Sequence, residues 1–307
     1  MKIVSLLSSA TEIVYELGLE AALVGISHEC DYPPEALTRP RLSRSRFDPA
    51  GLDSGEIDAA VRRSMEEFGS VYEVDAERLG ELRPDLILTQ AVCEVCAVPT
   101  GSVEEAVAGL PHAPQVLSLD AHTLGGILHT VQQVADAAGI SARGRETVKR
   151  LQSRIDRVRE RVGSDPRPRV LAVEWLDPPF APGHWVPEMI EAAGGENLSG
   201  SAGGRSARIG WDTLAGLDPD RLLLIPCGYD LPRARADAEQ HRSALEEVAQ
   251  RAIRGGGAWI GHGAFFSRSG PRVVGGIEAL GRVFHPHLFD EAALNGRVEQ
   301  WPSPEHP

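Results

Sequence analysis

The chain has 307 residues and a formal net charge of −13, a length sufficient for two domains with cores of their own. Its acidity would repel a phosphate backbone, so we expect no nucleic-acid partner. No apolar run reaches the roughly 18 residues that cross a bilayer, so we expect no membrane insertion. The early acids Glu12 and Glu16 do not fit a signal peptide, and four cysteines suit a reducing compartment. We expect a cytoplasmic protein, or a periplasmic or cell-surface one if a signal peptide was removed.

The first part of the chain alternates strand and helix patterns, which is typical of a mostly parallel sheet. Ser9 and Glu12 have capping-box spacing at the start of a helix. Asp53 and Ser54 can cap another helix, which runs to Phe68 and ends at Gly69. The predicted strands of this lobe are Ile3 to Leu7, Leu23 to Ser27, Val71 to Val74, Leu86 to Thr89 and Val116 to Leu119.

A second lobe follows a predicted connecting helix. Residues 123–163 contain no proline, and apolar residues recur at helical spacing near their end. A Gly/Pro-rich breaker follows, and strand patterns then recur at Val170 to Glu174, Leu222 to Pro226 and Ala258 to Gly261. The predicted domains are therefore an N-terminal lobe over 1–122, one long helix over 123–163, a C-terminal lobe over 164–300 and a frayed tail over 301–307.

Residues 79–90 and 214–225 repeat each other at an offset of 135 residues, each reading as a helix end, a Pro-Asp turn and a buried strand. We therefore predict an α/β fold of two Rossmann-like lobes with mostly parallel sheets, joined by one long α-helix. Ligands of parallel sheets lie beyond the carboxyl ends of the strands. Aromatic residues in the corresponding loops would offer flat walls to a macrocycle, with histidine and arginine at its polar edge. The predicted ligand-binding residues are His28, Cys30, Tyr32, Cys93, Cys96, Glu174, Trp175, Phe180, His184, Trp185, Cys227, Tyr229, His262, Phe265, Phe266 and Arg268.

Four thiol and imidazole residues follow predicted strands of the first lobe, namely His28, Cys30, Cys93 and Cys96. Together they could form a Cys3His site for zinc or iron. Alternatively, the thiols contact a ligand, supply an axial ligand to bound cobalt or iron, or are buried small hydrophobes.

Standard catalytic signatures are missing, because the chain has no Gly-x-Ser-x-Gly elbow, phosphate-binding glycine loop or His-Glu-x-x-His motif. We therefore expect a protein that is not an enzyme. The alternative is a cytoplasmic metal-handling protein or a chelatase-like enzyme, which would use His28 or His262 with Glu174 to deprotonate a tetrapyrrole and deliver a metal.

Several motifs together carry a family resemblance: the opening Ile3-Val-Ser-Leu-Leu-Ser-Ser-Ala-Thr-Glu-Ile, His28-Glu-Cys-Asp-Tyr-Pro-Pro, Ala76-Glu-Arg-Leu-Gly-Glu-Leu-Arg-Pro-Asp, Pro178-Pro-Phe-Ala-Pro-Gly, Gly194-Gly-Glu-Asn-Leu and Ser269-Gly-Pro-Arg-Val. With them the chain resembles class III periplasmic binding proteins, which serve importers of the ATP-binding cassette type. Cys93-Glu-Val-Cys-Ala-Val and Gly183-His-Trp make it most similar to the cobalamin-binding branch.

The resemblance implies non-catalytic binding of cobalamin, or of another corrinoid, tetrapyrrole or metal chelate, between the lobes. It also implies an importer permease as a partner, docked through an acidic residue on the outer face of each lobe. The matching positions in this chain are Glu77 and Asp212.

Overall fold

A computed structural model of the chain describes residues 1–91, 98, 100–108, 110 and 112–302. The first lobe alternates strands and helices, as the sequence predicts. Its elements in chain order are β1 (Ile3–Ser5), α1 (Ser8–Glu16), β2 (Leu23–Ile26), β3 (Ser43–Ser45), α2 (Ser54–Phe68), β4 (Tyr72–Val74), α3 (Ala76–Leu82), β5 (Leu86–Thr89), α4 (Thr100–Ala108) and β6 (Gln115–Ser118).

The connection between the lobes is two helices, not the single one predicted over 123–163. Helix α5 (Leu124–Ala137) and helix α6 (Ser141–Val162) are separated by a turn. Gly139 lies in that turn with a φ of +72°, a conformation that glycine adopts without strain and that ends a helix. The sequence prediction overlooked this glycine as a helix end.

The second lobe repeats the alternation after residue 168. Its elements are β7 (Arg169–Val173), β8 (Trp175–Leu176), β9 (Pro179–Ala181), α7 (Val186–Ala192), β10 (Glu196–Asn197), β11 (Ala207–Arg208), α8 (Trp211–Ala215), β12 (Arg221–Leu224), α9 (Leu231–Gln240), α10 (Arg242–Arg254), β13 (Ala258–Gly261), α11 (Val273–Phe284) and β14 (Val298–Gln300).

The two main sheets have the same strand order. The first is β2-β1-β5-β6 and the second is β10-β7-β12-β13-β14. Counted in chain order within each sheet, both run second, first, third, fourth, and β14 adds a fifth strand to the second sheet. All pairings are parallel except that of β14 with β13. The repeated sequence segments end at β5 and β12, the third strands in chain order of the two main sheets. This equivalence confirms the duplication that the 135-residue offset predicts.

Three local predictions are wrong. Ser9 and Glu12 form no capping box, because α1 begins at Ser8 and its preceding residue makes no side-chain cap. Residues 72–74 leave the main sheet and pair antiparallel with β3. Trp301, expected to fray, is fully buried, and its indole nitrogen donates to Glu239; residues 303–307 lie outside the described residues.

Helix α2 begins and ends as predicted. The Asp53 carboxylate accepts from the Glu56 amide, the Glu56 side chain accepts from the Asp53 amide, and Gly69 ends the helix at φ +66°. Helix α2 also bridges the lobes. Ile57 packs against the second lobe's core, while Val61 and Met65 pack against a first-lobe core.

A continuous apolar core joins the lobes on the side of α5 and α6. Leu151 and Ile155 of α6 share this core with Ile13 of α1 and Ile277 of α11. Each lobe has a further core on its other side. Because burial of apolar surface is the dominant attraction between packed elements, the α6 side holds the lobes together, and the strand ends face a cleft between them.

Candidate functional site: the cleft between the lobes

Two carboxyl groups and one thiol from opposite lobes meet in the cleft. Glu29 follows β2 of the first lobe, whereas Glu174 and Cys227 follow β7 and β12 of the second. Burial raises the pKa of the Cys227 thiol to about 11, and the carboxylates of Glu174 and Glu29 add to the rise. Since one carboxylate from each lobe acts electrostatically on the same thiol, loops of both lobes face one space.

Glu174 is a carboxyl of the cleft with a strongly perturbed pKa. Burial raises its pKa to about 7, although the Ser206 hydroxyl and the Gly183 amide donate hydrogen bonds to it and oppose the rise. Near neutral pH this group therefore exists in both protonation states. It can accept a hydrogen bond from a ligand or donate one.

His28 orients Glu29 from the first lobe. Its Nδ1 lies 2.8 Å from the Ser43 hydroxyl, and its Nε2 lies 3.2 Å from Oε1 of Glu29. The ring also contacts Tyr72, with centroids 5.1 Å apart. The hydrogen bond from His28 lowers the pKa of Glu29, so Glu29 contributes a fixed negative charge to the cleft.

His28 and Cys30, the two described members of the predicted Cys3His cluster, contact other side chains. Cys30 is buried in the first lobe's core, 3.1 Å from the Thr11 hydroxyl, and burial raises its pKa to about 11. A thiol with that pKa stays protonated at neutral pH. Cys93 and Cys96 lie outside the described residues, so their part of the cluster stays a prediction. Within the described ranges, no group of three or more histidine, cysteine, aspartate or glutamate residues is arranged to hold a metal.

An acid–arginine cluster, formed by Glu12, Asp31, Arg268 and Arg272, closes one edge of the cleft. Arg272 lies 2.7 Å from Oε1 of Glu12, and Arg268 makes two hydrogen bonds, at 2.5 and 2.7 Å, to Asp31. Burial raises the pKa of Glu12, and the hydrogen bond and charge of Arg272 oppose the rise. Arg268, predicted to meet a ligand's polar edge, is therefore occupied by the first lobe.

A second set of polar contacts, the α2 contact, crosses the boundary. Ser54 donates to Asp237 at 2.9 Å, Trp175 donates through its indole nitrogen to the Ser54 carbonyl at 3.2 Å, and Arg208 pairs with Asp58 at 2.9 Å. Because α2 belongs to the first lobe and the partners to the second, α2 lies across the boundary against β8, β11 and α9 of the second lobe.

Three aromatic residues that were predicted to contact the ligand, Trp185, Tyr229 and Phe266, are buried in the second lobe. Phe266 has no exposed surface, and Trp185 donates its indole hydrogen to the Phe266 carbonyl at 2.6 Å. Tyr229 is buried against Trp175, with ring centroids 5.1 Å apart. These rings pack the loops that shape the cleft rather than presenting a face to a ligand. Phe180, in β9, is half-buried beneath the guanidinium of Arg208.

Tyr32 and Phe265 line a groove of about 990 Å³ on the outer side of the acid–arginine cluster, between α1 and α11. The Arg272 guanidinium lies 4.5 Å from the Tyr32 ring centroid and 5.2 Å from that of Phe265. His262 contacts Phe265 edge-on and accepts from the Ala264 amide. Its pKa is lowered, first by burial and then by both arginines of the cluster. The structure thus divides the predicted ligand residues between the cleft, this groove and the core.

His184 has a partner that sequence reasoning missed. His122 follows β6, and its ring centroid lies 5.5 Å from that of His184 in the second lobe. Glu29, Ser206 and Asp31 were also missed. Glu29 and Asp31 alternate along the chain with the predicted ligand residues at 28, 30 and 32, and this alternation was the available signal. His122 and Ser206 carry no local motif.

Comparison with known proteins places this architecture in a family. The model of the periplasmic binding protein family matches residues 3–252, which is most of both lobes. The chain belongs to this family. The predicted resemblance and the bilobal α/β fold are therefore confirmed, and the chain is a ligand-binding protein of the kind that serves ABC importers.

Two curated proteins are similar to this chain over most of their length. An uncharacterised ABC transporter substrate-binding lipoprotein of Bacillus subtilis is 23% identical over 94% of this chain and 82% of its own length. A vitamin B12-binding protein of Vibrio cholerae serotype O1 is 21% identical over 91% of this chain and 87% of its own length.

Solved structures agree on the fold. A periplasmic haem-binding protein from Pseudomonas aeruginosa has a TM-score of 0.70 at 21% identity, covering 99% of this chain and 95% of its own. The periplasmic vitamin B12-binding protein of Vibrio cholerae has a TM-score of 0.66 at 20% identity, covering 92% and 95%. The Bacillus relative is a lipoprotein by name and the two solved structures are periplasmic by name, so they lend no support to the expected cytoplasmic location. Among the described helices, none has the length and apolarity of a membrane span.

Proposed function

We propose that this protein binds a metal-centred tetrapyrrole or corrinoid, such as haem or cobalamin, in the cleft between its lobes, without catalysing a reaction. The observation that carries the proposal is the pair of sheets with the same strand order, whose loops meet at Glu29, Glu174 and Cys227. Ligands of parallel sheets bind beyond the carboxyl ends of the strands. The names of the similar proteins supply the ligand class.

The groups at the cleft suit a large ligand with polar substituents. Glu174 can donate or accept a hydrogen bond, and Glu29 offers a fixed carboxylate. Peripheral amides of a corrinoid could bond to either group. Half-buried Phe180 and Trp175 add apolar surface beside them.

The test is an absorption spectrum of the purified protein after incubation with hydroxocobalamin or haemin and removal of free ligand by gel filtration. We expect one of these chromophores to stay with the protein at one equivalent. Elemental analysis for cobalt, iron and zinc on the same fractions gives the stoichiometry. Failure of both chromophores to bind would contradict the proposal, as would insertion of a metal into a metal-free tetrapyrrole.

A pair of matched substitutions locates the site. Glu29→Trp places a bulky side chain in the cleft at a side chain that is 42% exposed, so we expect it to weaken chromophore binding at least tenfold. Glu77→Trp makes the same change on the exposed face of α3 and should leave binding unchanged. Equal effects of the two substitutions would place the ligand elsewhere.

An importer permease is the proposed partner. Glu77 and Asp212 are exposed and are each the second residue of equivalent helices, α3 and α8. Their shared place in the two lobes supports the docking role that the family resemblance implies, since arginines of a permease could pair with both carboxylates. Charge reversal at both positions should abolish co-purification with the permease while ligand binding persists.

A further inference from the structure

The pair formed by His122 and His184 brings one imidazole from each lobe to the cleft. The ring centroids are 5.5 Å apart and the ring planes meet at 36°. His122 is exposed and follows the edge strand β6, while His184 is half-buried and lies between β9 and α7. Two imidazoles that share a metal at about 2.0–2.1 Å have centroids about 5–6 Å apart. The observed spacing therefore suits a common metal centre.

The backbone holds His184 in an unfavourable conformation. Its φ is +52°, in the left-handed region that costs energy for a residue with a side chain. The His184 amide donates to the Gly204 carbonyl at 2.6 Å, and the His184 carbonyl accepts from the Gly203 amide at 2.8 Å. Residue 183 must be glycine, because a Cβ there would lie 2.3 Å from the Ser206 nitrogen. The imidazole thus has a fixed position that local preference does not favour.

One nitrogen of the His184 ring is also left without a hydrogen-bond partner among the described residues. Its Nδ1 is buried and unpartnered, which is costly for a polar atom. Strain, burial and an unpartnered nitrogen at one residue point to a ligand that compensates for them.

We propose that His184 is a ligand to the metal of a metal-centred chelate, with His122 as a second imidazole within reach. The inference rests on the proposed function and narrows it to chelates whose metal has an exchangeable coordination position. An imidazole nitrogen donates its lone pair to the metal and displaces a bound water or hydroxide, with no change in oxidation state. Only these two imidazoles meet at this point of the described residues, and no larger donor group surrounds them. On this proposal the remaining ligands of the metal come from the chelator.

The test compares wild-type protein with His184→Asn, His122→Gln and the control His129→Gln. Asparagine tolerates the left-handed region, and His129 is an exposed histidine of α5. Each is titrated with haemin and with hydroxocobalamin, and ligation is measured by absorption and, for iron, by electron paramagnetic resonance. We expect wild type and His129→Gln to show an imidazole-ligated metal. His184→Asn should bind at least tenfold more weakly, lose that signature, and regain it with added imidazole.

Other outcomes separate the two proposals. If His184→Asn keeps the wild-type spectrum and affinity, the ligand role is wrong while binding in the cleft stands. If wild type binds neither chelate, the proposed function fails, and the inference with it. Calorimetry with Zn²⁺ and Co²⁺ forms the second arm. Tight binding of a bare cation that depends on both histidines, without chelate binding, would overturn the chelate in favour of a free-cation site.

Discussion

The acid–arginine cluster and the α2 contact both join the lobes through charged groups, yet water reaches them very differently. The Glu12 side chain is 2% exposed, and its partner Arg272 is 17% exposed. In the α2 contact, Arg208 is 52% exposed and Asp58 is 16% exposed. Water screens the second pair and leaves the first to the protein's low dielectric. The stability of the protein should therefore depend strongly on the buried pair Glu12–Arg272 and weakly on the exposed pair Arg208–Asp58.

This difference indicates which edge of the cleft opens. The cluster lies beside α1 and α11, which share the continuous core with α6. The α2 contact involves a two-residue strand, β11, and a helix inserted between β3 and β4. We expect a ligand to enter at the α2 side, because local opening follows the regions with the weakest contacts.

Arg272→Met should cause the largest loss of stability, about 3 kcal/mol at pH 8, since it leaves a buried carboxylate without its nearest cation. Methionine retains much of the packing against Tyr32 and Phe265. Without the arginine, the pKa of Glu12 rises further above its unfolded value. The variant's deficit should therefore be greatest above that pKa and shrink as the pH falls and Glu12 takes up a proton. Urea unfolding at pH values across this range measures both effects.

The matched control is Arg208→Met in the α2 contact. Equal losses for the two arginines would show that burial does not distinguish the two regions. A deficit at Arg272 that grows on acidification would contradict the role assigned to Glu12.

Glu174 should make stability depend on pH in the opposite direction from an ordinary salt-bridged acid. Its folded pKa of about 7 lies above the reference value of 4.5, so its contribution is fully present below about pH 4.5 and is lost as the pH rises through about 7. Relative to Glu174→Gln, the wild-type free energy of unfolding should fall over this window by up to about 3 kcal/mol. Urea unfolding of both proteins over this window measures the difference, and a constant difference would show that Glu174 is not desolvated.

Local signals predicted the parts of the fold that local forces determine. The α2 helix was predicted from Asp53 to Gly69 because a capping box and a left-handed glycine act within a few residues. The same reasoning failed at Ser9 and Glu12, where distant partners prevail: Ser9 lies 3.3 Å from the Ser269 hydroxyl and Glu12 binds Arg272. A tertiary charge contact overrides a cap worth about 1 kcal/mol.

The candidate site was only partly predictable for the same reason. The loops that form the cleft follow from the strand pattern, which is why Glu174, His184 and Cys227 were identified. Whether a loop aromatic faces solvent or core depends on packing between elements, so Trp185 and Phe266 were misplaced. His122 has no motif around it, and only the fold brings it to His184.

Ser54→Ala tests the buried part of the α2 contact and should cost about 1–2 kcal/mol. Ser54 and Asp237 are both buried, and the serine hydroxyl bonds to Oδ1 of the aspartate. Removing the hydroxyl leaves the buried carboxyl of Asp237 without that donor. Burial already raises the pKa of this carboxyl. Ser164→Ala, at an exposed position, should change the free energy of unfolding by less than about 0.5 kcal/mol. An equal result for both would mean that the hydrogen bond contributes nothing.

Arg208→Met should have the smallest effect, below about 1 kcal/mol, because the guanidinium is exposed and Asp58 keeps Arg62 at 3.0 Å. High salt should remove even this difference. The substitution should instead change the local stability of one helix. Because Arg208 joins β11 to α2, its loss should speed hydrogen exchange in α2 and leave exchange in α11, beside the acid–arginine cluster, unchanged. Faster exchange in both helices would show that the lobes separate as one cooperative unit, whereas acceleration confined to α2 identifies the edge at which the cleft opens.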